Sequence, residues 1–208
     1  MILIGQYDSP FVRRVAISLM TLGIPFERDT RSVFDDFDEM RRINPLARIP
    51  SLTLDSGETL IDSFAILDWL DREVGPARAL LPASGPERTR AMQIIALAAG
   101  AVEKFGAVNY ERLMRPAALR WPDWIARCQT QALGALAALE REDWRTRARL
   151  DQVEITVGCL LGYLALSAPE VLAREAFPAL HALWTRCAAL PAFAETSVAA
   201  YALPPGGR

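Results

Sequence analysis

The chain is predicted to fold as an α/β domain of order β-α-β-α-β-β-α over residues 1–75 and an all-helical domain over residues 87–208, with a linker at 76–86. Three observations predict this. Short apolar runs alternate with helical periodicity as far as Val74. Gly75-Pro76, Pro82 and Ser84-Gly85-Pro86 then break the pattern, and everything beyond them reads as helix. The charge changes sign at the same place: residues 1–75 carry 8 Arg and 13 Asp/Glu, net −5, and the remainder carries 15 basic and 12 acidic residues, net +3.

The first strand is Ile2-Leu3-Ile4. Ser9 follows as a good N-cap, because its hydroxyl can accept from a first-turn amide. Pro10 stands at the first helical position, where its missing N–H costs nothing. Val12, Val15, Ala16 and Leu19 recur at helical spacing, and Gly23 stops the run. Ser9 thus sits beside unpaired helix N–H groups, which suits an anion or a thiolate; the same features describe an ordinary helix start. Pro25–Asp29 is a second strand, parallel to the first in a βαβ unit. Phe34 to Ile43 is acidic at its start and basic at its end, the polarity of a short helix or of a solvated face. Pro45 and Pro50 exclude helix between Asn44 and Pro50. Ser51–Leu54 and Thr59–Ile61 form a hairpin around Asp55-Ser56-Gly57-Glu58. Asp62 or Ser63 caps a helix with Ile66, Leu67, Leu70 and Val74 on its apolar face.

In the second part, helices are expected from Glu87 to about Arg115, and from Pro122 to about Glu142. Asp151-x-x-Glu154 is an acidic capping box that opens the most apolar helix. Two shorter helices span Pro178–Ala189 and Ala192–Ala200, and the tail from Leu203 frays. The run Arg145-Thr146-Arg147-Ala148-Arg149 reads as a solvated basic loop.

Several function classes are disfavoured. A net charge of −2 without a basic tail does not suggest nucleic acid. The N-terminus lacks a signal-peptide pattern, and the longest apolar run, Ile155–Ala168, is 14 residues, short for a membrane span. Cys128, Cys159 and Cys187 are widely spaced and read as buried free thiols in a reducing compartment. With one histidine, His181, and no CxxC or HExxH, no metal site is expected. Phosphate-cradling glycine loops and a G-x-S-x-G elbow are absent.

Three motifs together resemble the glutathione S-transferase superfamily: Tyr7-Asp8-Ser9-Pro10-Phe11-Val12-Arg13-Arg14-Val15, Asn44-Pro45-Leu46-Ala47-Arg48-Ile49-Pro50-Ser51-Leu52 and Asp62-Ser63-Phe64-Ala65-Ile66. Asp151-Gln152-Val153-Glu154 and Gly158–Leu164 extend the resemblance into the second part, and the Ser-Pro-Phe-Val-Arg start is similar to that of the bacterial YibF-like subgroup. The resemblance implies a thioredoxin-like N-terminal domain followed by an all-helical glutathione-transferase C-terminal domain. It implies glutathione as co-substrate, a small electrophile as second substrate, no metal, a homodimer, and a cytoplasmic location without nucleic-acid or membrane partners. The charge split agrees with an acidic N-terminal part facing the basic part of a second copy.

The resemblance also assigns residues. Ser9 takes the catalytic position and stabilises the glutathione thiolate. A free thiol titrates near ~8.5, and lowering it by about one or two units makes it nucleophilic at neutral pH. Ile49, before a cis Pro50, pairs its backbone with the cysteinyl part of glutathione. Asp62 and Ser63 take the γ-glutamyl end, and Arg48 reaches toward the glycyl carboxylate. The second substrate is expected between the domains, near Phe11, Phe105, Val108, Asn109, Tyr110, Arg112 and Arg115. Arg112 and Arg115 lie three apart, on one helix face. No cysteine precedes Cys128, so mixed-disulfide exchange through the protein is disfavoured against thiolate attack on carbon. Peroxide reduction by the same thiolate stays open. The alternatives are a non-catalytic binding or stress protein of the same fold, and a specialised glutathione-dependent lyase or dehalogenase.

Overall fold

The computed structural model describes residues 1–144, 149–172 and 175–198. Most of the basic run at 145–149, the end of the last expected helix and the tail from Leu203 lie outside the described residues. The chain divides into two compact units, Met1–Ala83 with the stretch that begins at Ala188, and Ser84–Cys187.

The first unit has the expected element order: β1 (Ile2–Ile4), α1 (Pro10–Leu22), β2 (Glu27–Asp29), α2 (Phe37–Ile43), β3 (Ser51–Thr53), β4 (Thr59–Ile61) and α3 (Ser63–Val74). The sheet order is β2-β1-β3-β4, with β1 parallel to β2 and both other pairings antiparallel. α1 starts as its sequence dictates. Ser9 is extended (φ −76°, ψ 117°), its Oγ accepts from the Val12 amide at 3.4 Å, and Pro10 follows. It ends on Gly23 at φ 67°, where the Gly23 and Ile24 amides donate to the Met20 and Leu19 carbonyls. The Arg78 guanidinium binds the Leu22 carbonyl at the same end, a cation on exposed carbonyls. Leu3, Val12, Val15, Ala16, Leu19, Leu52, Ile66 and Leu70 form the core between sheet, α1 and α3.

α1 is more deeply set than its apolar stripe implies. Residues 12–19 are all buried, Arg13 and Arg14 included. A short helix, α8 (Pro191–Glu195), packs on it from the C-terminal stretch. Gly5 makes a second close approach possible. Its φ is +130°, and a β-carbon there would lie 2.6 Å from Val12 Cγ2 and 2.9 Å from Ile49 Cβ. Only glycine lets the chain leave β1 between the start of α1 and the loop before β3.

The described residues of the second unit contain α4 (Gly85–Leu113), α5 (Pro122–Glu140), α6 (Gln152–Ser167) and α7 (Pro178–Ala188). α4 is long and apolar enough to cross a membrane by length and composition, yet half of its most apolar stretch is buried and α5 and α6 pack along it. α6 is buried from Gln152 to Leu161. Its cap is Asp151, whose Oδ1 accepts from the Glu154 amide at 2.9 Å, while Glu154 Oε1 accepts from Arg186 Nη2 of α7 at 3.2 Å. Glu140 caps α7 from a distance in sequence: its carboxylate accepts from the Ala179 and Leu180 amides at 2.7 and 2.9 Å.

Two predictions follow from the first unit. Gly5→Ala is expected to lose about 2–3 kcal/mol, because overpacking adds to an unfavourable positive φ. The measurement is the urea midpoint at unchanged slope, and a midpoint equal to that of wild type refutes the close-approach reading. The second concerns Asp29. Arg31 Nε donates to its carboxylate at 2.8 and 3.0 Å, and these bonds hold the Asp29 carboxyl below the usual carboxylate range against a smaller opposing effect of burial. The pair's contribution is therefore complete above the unfolded value of ~3.9 and is lost as pH falls through the lower folded value. Arg31→Gln is expected to cost about 1 kcal/mol at pH 7, with the gap from wild type closing once Asp29 is protonated. A gap that stays constant with pH means that the ion pair contributes nothing.

Candidate functional site

The register of the sheet brings three loops to one end. Ile4, the last residue of β1, pairs with Asp29 at the end of β2 and with Ser51 at the start of β3. Ser51 in turn faces Ile61 at the end of β4. The loop leaving β1, the loop entering β3 and the turn from β4 into α3 must therefore open at the same edge. They carry Ser9, Arg48-Ile49-Pro50 and Asp62-Ser63.

In the first loop, Ser9 is half-buried and its carbonyl accepts from the Arg13 amide at 3.0 Å. Its Oγ acts as acceptor in the cap, so the hydroxyl hydrogen can be donated outward to an anion. Tyr7 supplies the other hydroxyl of this loop but is only 5% exposed. Burial pushes its phenol up, a nearby Glu195 adds to this, and the Arg28 guanidinium, 3.5 Å from the ring centroid, opposes them. Tyr7 thus stays a neutral phenol at neutral pH, and Ser9 is the hydroxyl in reach of solvent.

The second loop is locked by a residue to which no role was assigned from sequence. Asn44, 1% exposed, accepts from the Leu46 amide at 2.9 Å and donates to the Arg48 carbonyl at 2.8 Å and to Ser51 Oγ at 3.4 Å. It holds a tight bend in which Ala47 has φ 47°, and the Ile49–Pro50 peptide is cis. Pro50 is buried, Ile49 is half-buried and Arg48 is exposed.

In the third, Asp62 rather than Ser63 is the cap. It has φ 68°, unusual for a residue other than glycine, and its Oδ1 accepts from the Phe64 amide at 2.8 Å. Its side chain is otherwise open to solvent. Ser63 is 2% exposed and its Oγ accepts from Arg14 Nη2 at 2.6 Å. Arg14 is itself 1% exposed, with its guanidinium 4.2 Å from the Phe64 ring centroid and 5.4 Å from that of Phe11. A buried cation over two aromatic faces therefore stands directly behind the Ser63 hydroxyl. Sequence reasoning missed Arg14 because it lies off the apolar stripe of α1, where an arginine is normally solvated; the Arg13-Arg14 doublet within the motif was the available signal.

The other expected residues fall as follows. Phe11 is half-buried beside Arg14. In the second unit, Phe105 and Val108 are 5% and 3% exposed, and Tyr110 and Arg112 are exposed. Asn109 Nδ2 donates to the Tyr163 hydroxyl of α6 at 2.7 Å. Arg115 does not share a helix face with Arg112. α4 ends at Leu113, because Pro116 disfavours helical backbone in the residue before it, and Arg115 pairs with Glu111 at 2.8 Å. Cys128, Cys159 and Cys187 are free and buried. Among the described residues no three of His, Cys, Asp or Glu cluster as metal ligands do.

Comparison with known proteins agrees with this geometry. Residues 3–78 match the family model of the glutathione S-transferase N-terminal domain. The uncharacterized GST-like protein YibF of Escherichia coli K12 is 32% identical over 165 residues, 78% of this chain and 81% of that protein. A probable maleylacetoacetate isomerase of Drosophila melanogaster is 35% identical over 134 residues, 61% of this chain and 54% of that one. The crystal structure of a glutathione transferase family member from Pseudomonas fluorescens Pf-5 with bound glutathione superposes with a TM-score of 0.85 at 32% identity, over 94% of this chain and 98% of the other. With a thioredoxin-like sheet unit, a helical second unit and relatives similar over most of their length, the chain belongs to the glutathione S-transferase superfamily, in its YibF-like subgroup.

Proposed function

We propose that the protein binds glutathione at the open end of its sheet and that Ser9 stabilises the thiolate for attack on a small carbon electrophile. The observation that carries this is the convergence, within one unit, of a Ser-capped helix N-terminus, a cis-proline loop and an acid-capped helix N-terminus. The glutathione-bound relative at 32% identity supports the choice of ligand.

Each subsite follows from the chemistry of its residues. The Ile49 backbone pairs with the cysteinyl part as an added strand does. The Asp62 carboxylate suits the γ-glutamyl ammonium, and the first turn of α3 with the Ser63 hydroxyl suits the carboxylate. Arg14 donates to Ser63 Oγ, so the hydroxyl turns its own hydrogen elsewhere, toward that carboxylate. Arg48 is exposed and meets the glycyl carboxylate. At Ser9 the hydroxyl hydrogen and the positive end of α1 both favour S⁻ over SH. The thiolate then forms a C–S bond, and the carbon releases a leaving group, opens a ring or takes a proton. The protein acts as a homodimer in the cytoplasm on this reading.

A second reading rests on the similarity to the probable maleylacetoacetate isomerase. There the thiolate adds to a conjugated double bond, the single bond so created rotates, and the thiolate leaves again. Glutathione is consumed in transfer and returned in isomerisation, so its stoichiometry in product analysis separates the two.

The test is calorimetry with glutathione on wild type and Ser9→Ala, with thiolate absorbance followed against pH. Wild type is expected to bind, and the variant to bind within a few fold with its thiol titrating about one or two units higher. Absence of binding at millimolar glutathione would falsify the reading and leave a binding or structural member of the fold. Arg14→Gln is expected to weaken glutathione binding by about tenfold, the loss of one charge-assisted contact, without moving the thiol titration. Unchanged affinity removes Arg14 from the γ-glutamyl subsite.

A further inference from the structure

α1 carries two neighbouring buried arginines with different partners. Arg14 meets Ser63. Arg13 is turned about 100° round the helix from it and is 6% exposed. Its Nη2 donates to the Phe193 carbonyl at 2.7 Å and its Nε to Thr196 Oγ1 at 3.2 Å, and its guanidinium lies 5.4 Å from the Phe193 ring centroid. Phe193 and Thr196 are each 1% exposed, and Thr196 Oγ1 donates back to the Ala192 carbonyl at 2.7 Å. Arg13 is thus fastened to α8 across 180 residues of sequence.

Its own backbone is fastened to Ser9. The Arg13 amide donates to the Ser9 carbonyl at 3.0 Å and closes the first turn of α1. The side-chain cap of that turn is weak, since Ser9 Oγ stands 3.4 Å from the Val12 amide, at the outer limit of such a bond. First turns held only by their caps fray readily. Here α8 holds the turn from behind through Arg13.

We propose that Arg13 is a positioning residue which, by binding α8, fixes the first turn of α1 and with it the Ser9 hydroxyl that stabilises the thiolate. This rests on the Ser9 reading above. Arginine is required because its planar fork meets two acceptors in different directions; lysine keeps the charge but not that geometry. Small displacements of a donor lower its effect on a developing anion steeply.

The test compares wild type, Ser9→Ala, Arg13→Lys and the double variant, each loaded with glutathione and titrated by thiolate absorbance. Arg13→Lys is expected to raise the thiol midpoint by roughly half a unit, about a threefold loss of thiolate below both midpoints. Glutathione affinity should stay within about twofold, because no binding contact is removed. In the Ser9→Ala background the same change should shift nothing further, since Arg13 acts through Ser9. An unmoved midpoint in Arg13→Lys, or additive shifts in the double variant, overturns the proposal and leaves Arg13 a purely structural residue. Thr196→Val, which removes one of the two acceptors, decides the matter if Arg13→Lys does not fold: a smaller shift in the same direction supports it, and none overturns it. Should Ser9→Ala itself leave the midpoint unchanged, the Ser9 reading fails and this inference with it. A shift in Ser9→Ala without one in Arg13→Lys removes this inference alone.

Discussion

β3 enters the sheet with Ser51 paired to Ile4 on one side and to Ile61 on the other, and this double register carries the rest of the first unit. It puts the exit of β1 and the exit of β4 on either side of the entry of β3, each one strand spacing away. A slip of one residue in either ladder would turn Leu52 from core to solvent and carry a loop away from the other two. Asn44 and Gly5 serve the same arrangement from outside the ladders. One ties the β3 loop to Ser51 and Arg48, and the other leaves room for Ile49 beside Val12. The shared edge is therefore a by-product of the pairing, which gathers three loops of ordinary cap and turn chemistry at one end of the sheet.

α1 lies at the centre of this unit and buries two guanidinium groups. Such groups are expensive to dehydrate and are retained where they fix geometry, since apolar packing of similar volume would be at least as stable. The geometries they fix are complementary. Arg14 ties the front of α1 to the start of α3, and Arg13 ties its other side to α8. Two charges that would repel are kept apart by the turn of the helix and by separate aromatic faces, Phe64 and Phe11 for one and Phe193 for the other.

What could be read in the sequence was local. Ser9-Pro10, Gly23, Pro45, Pro50 and the Asp55–Glu58 turn each constrain their own few residues, and so the element order was legible from punctuation alone. Asp62 and Ser63 were visible as a cap, although only the structure shows which of them caps and which is taken by Arg14. Gly5 and Asn44 were silent, and the Arg13-Arg14 doublet was visible without its role, because each acquires its meaning from a partner elsewhere in the fold. A periodicity argument reads an arginine off the apolar stripe as solvated, and it fails for a helix covered on several sides. The packing of α8 on α1 left no local trace either, and the helical spacing of Arg112 and Arg115 loses its meaning because α4 stops at Leu113, ahead of Pro116.

The three cysteines acquire another significance once the chain is placed among proteins that handle thiol chemistry. Cys128, Cys159 and Cys187 are 0%, 1% and 2% exposed, all on helices of the second unit. An accessible thiol is open to attack by soft electrophiles, most of all as its thiolate. Here the three sulfurs are sealed in helix packing. Attack on them must await local opening of the bundle, so their protection lasts as long as those helices stay closed.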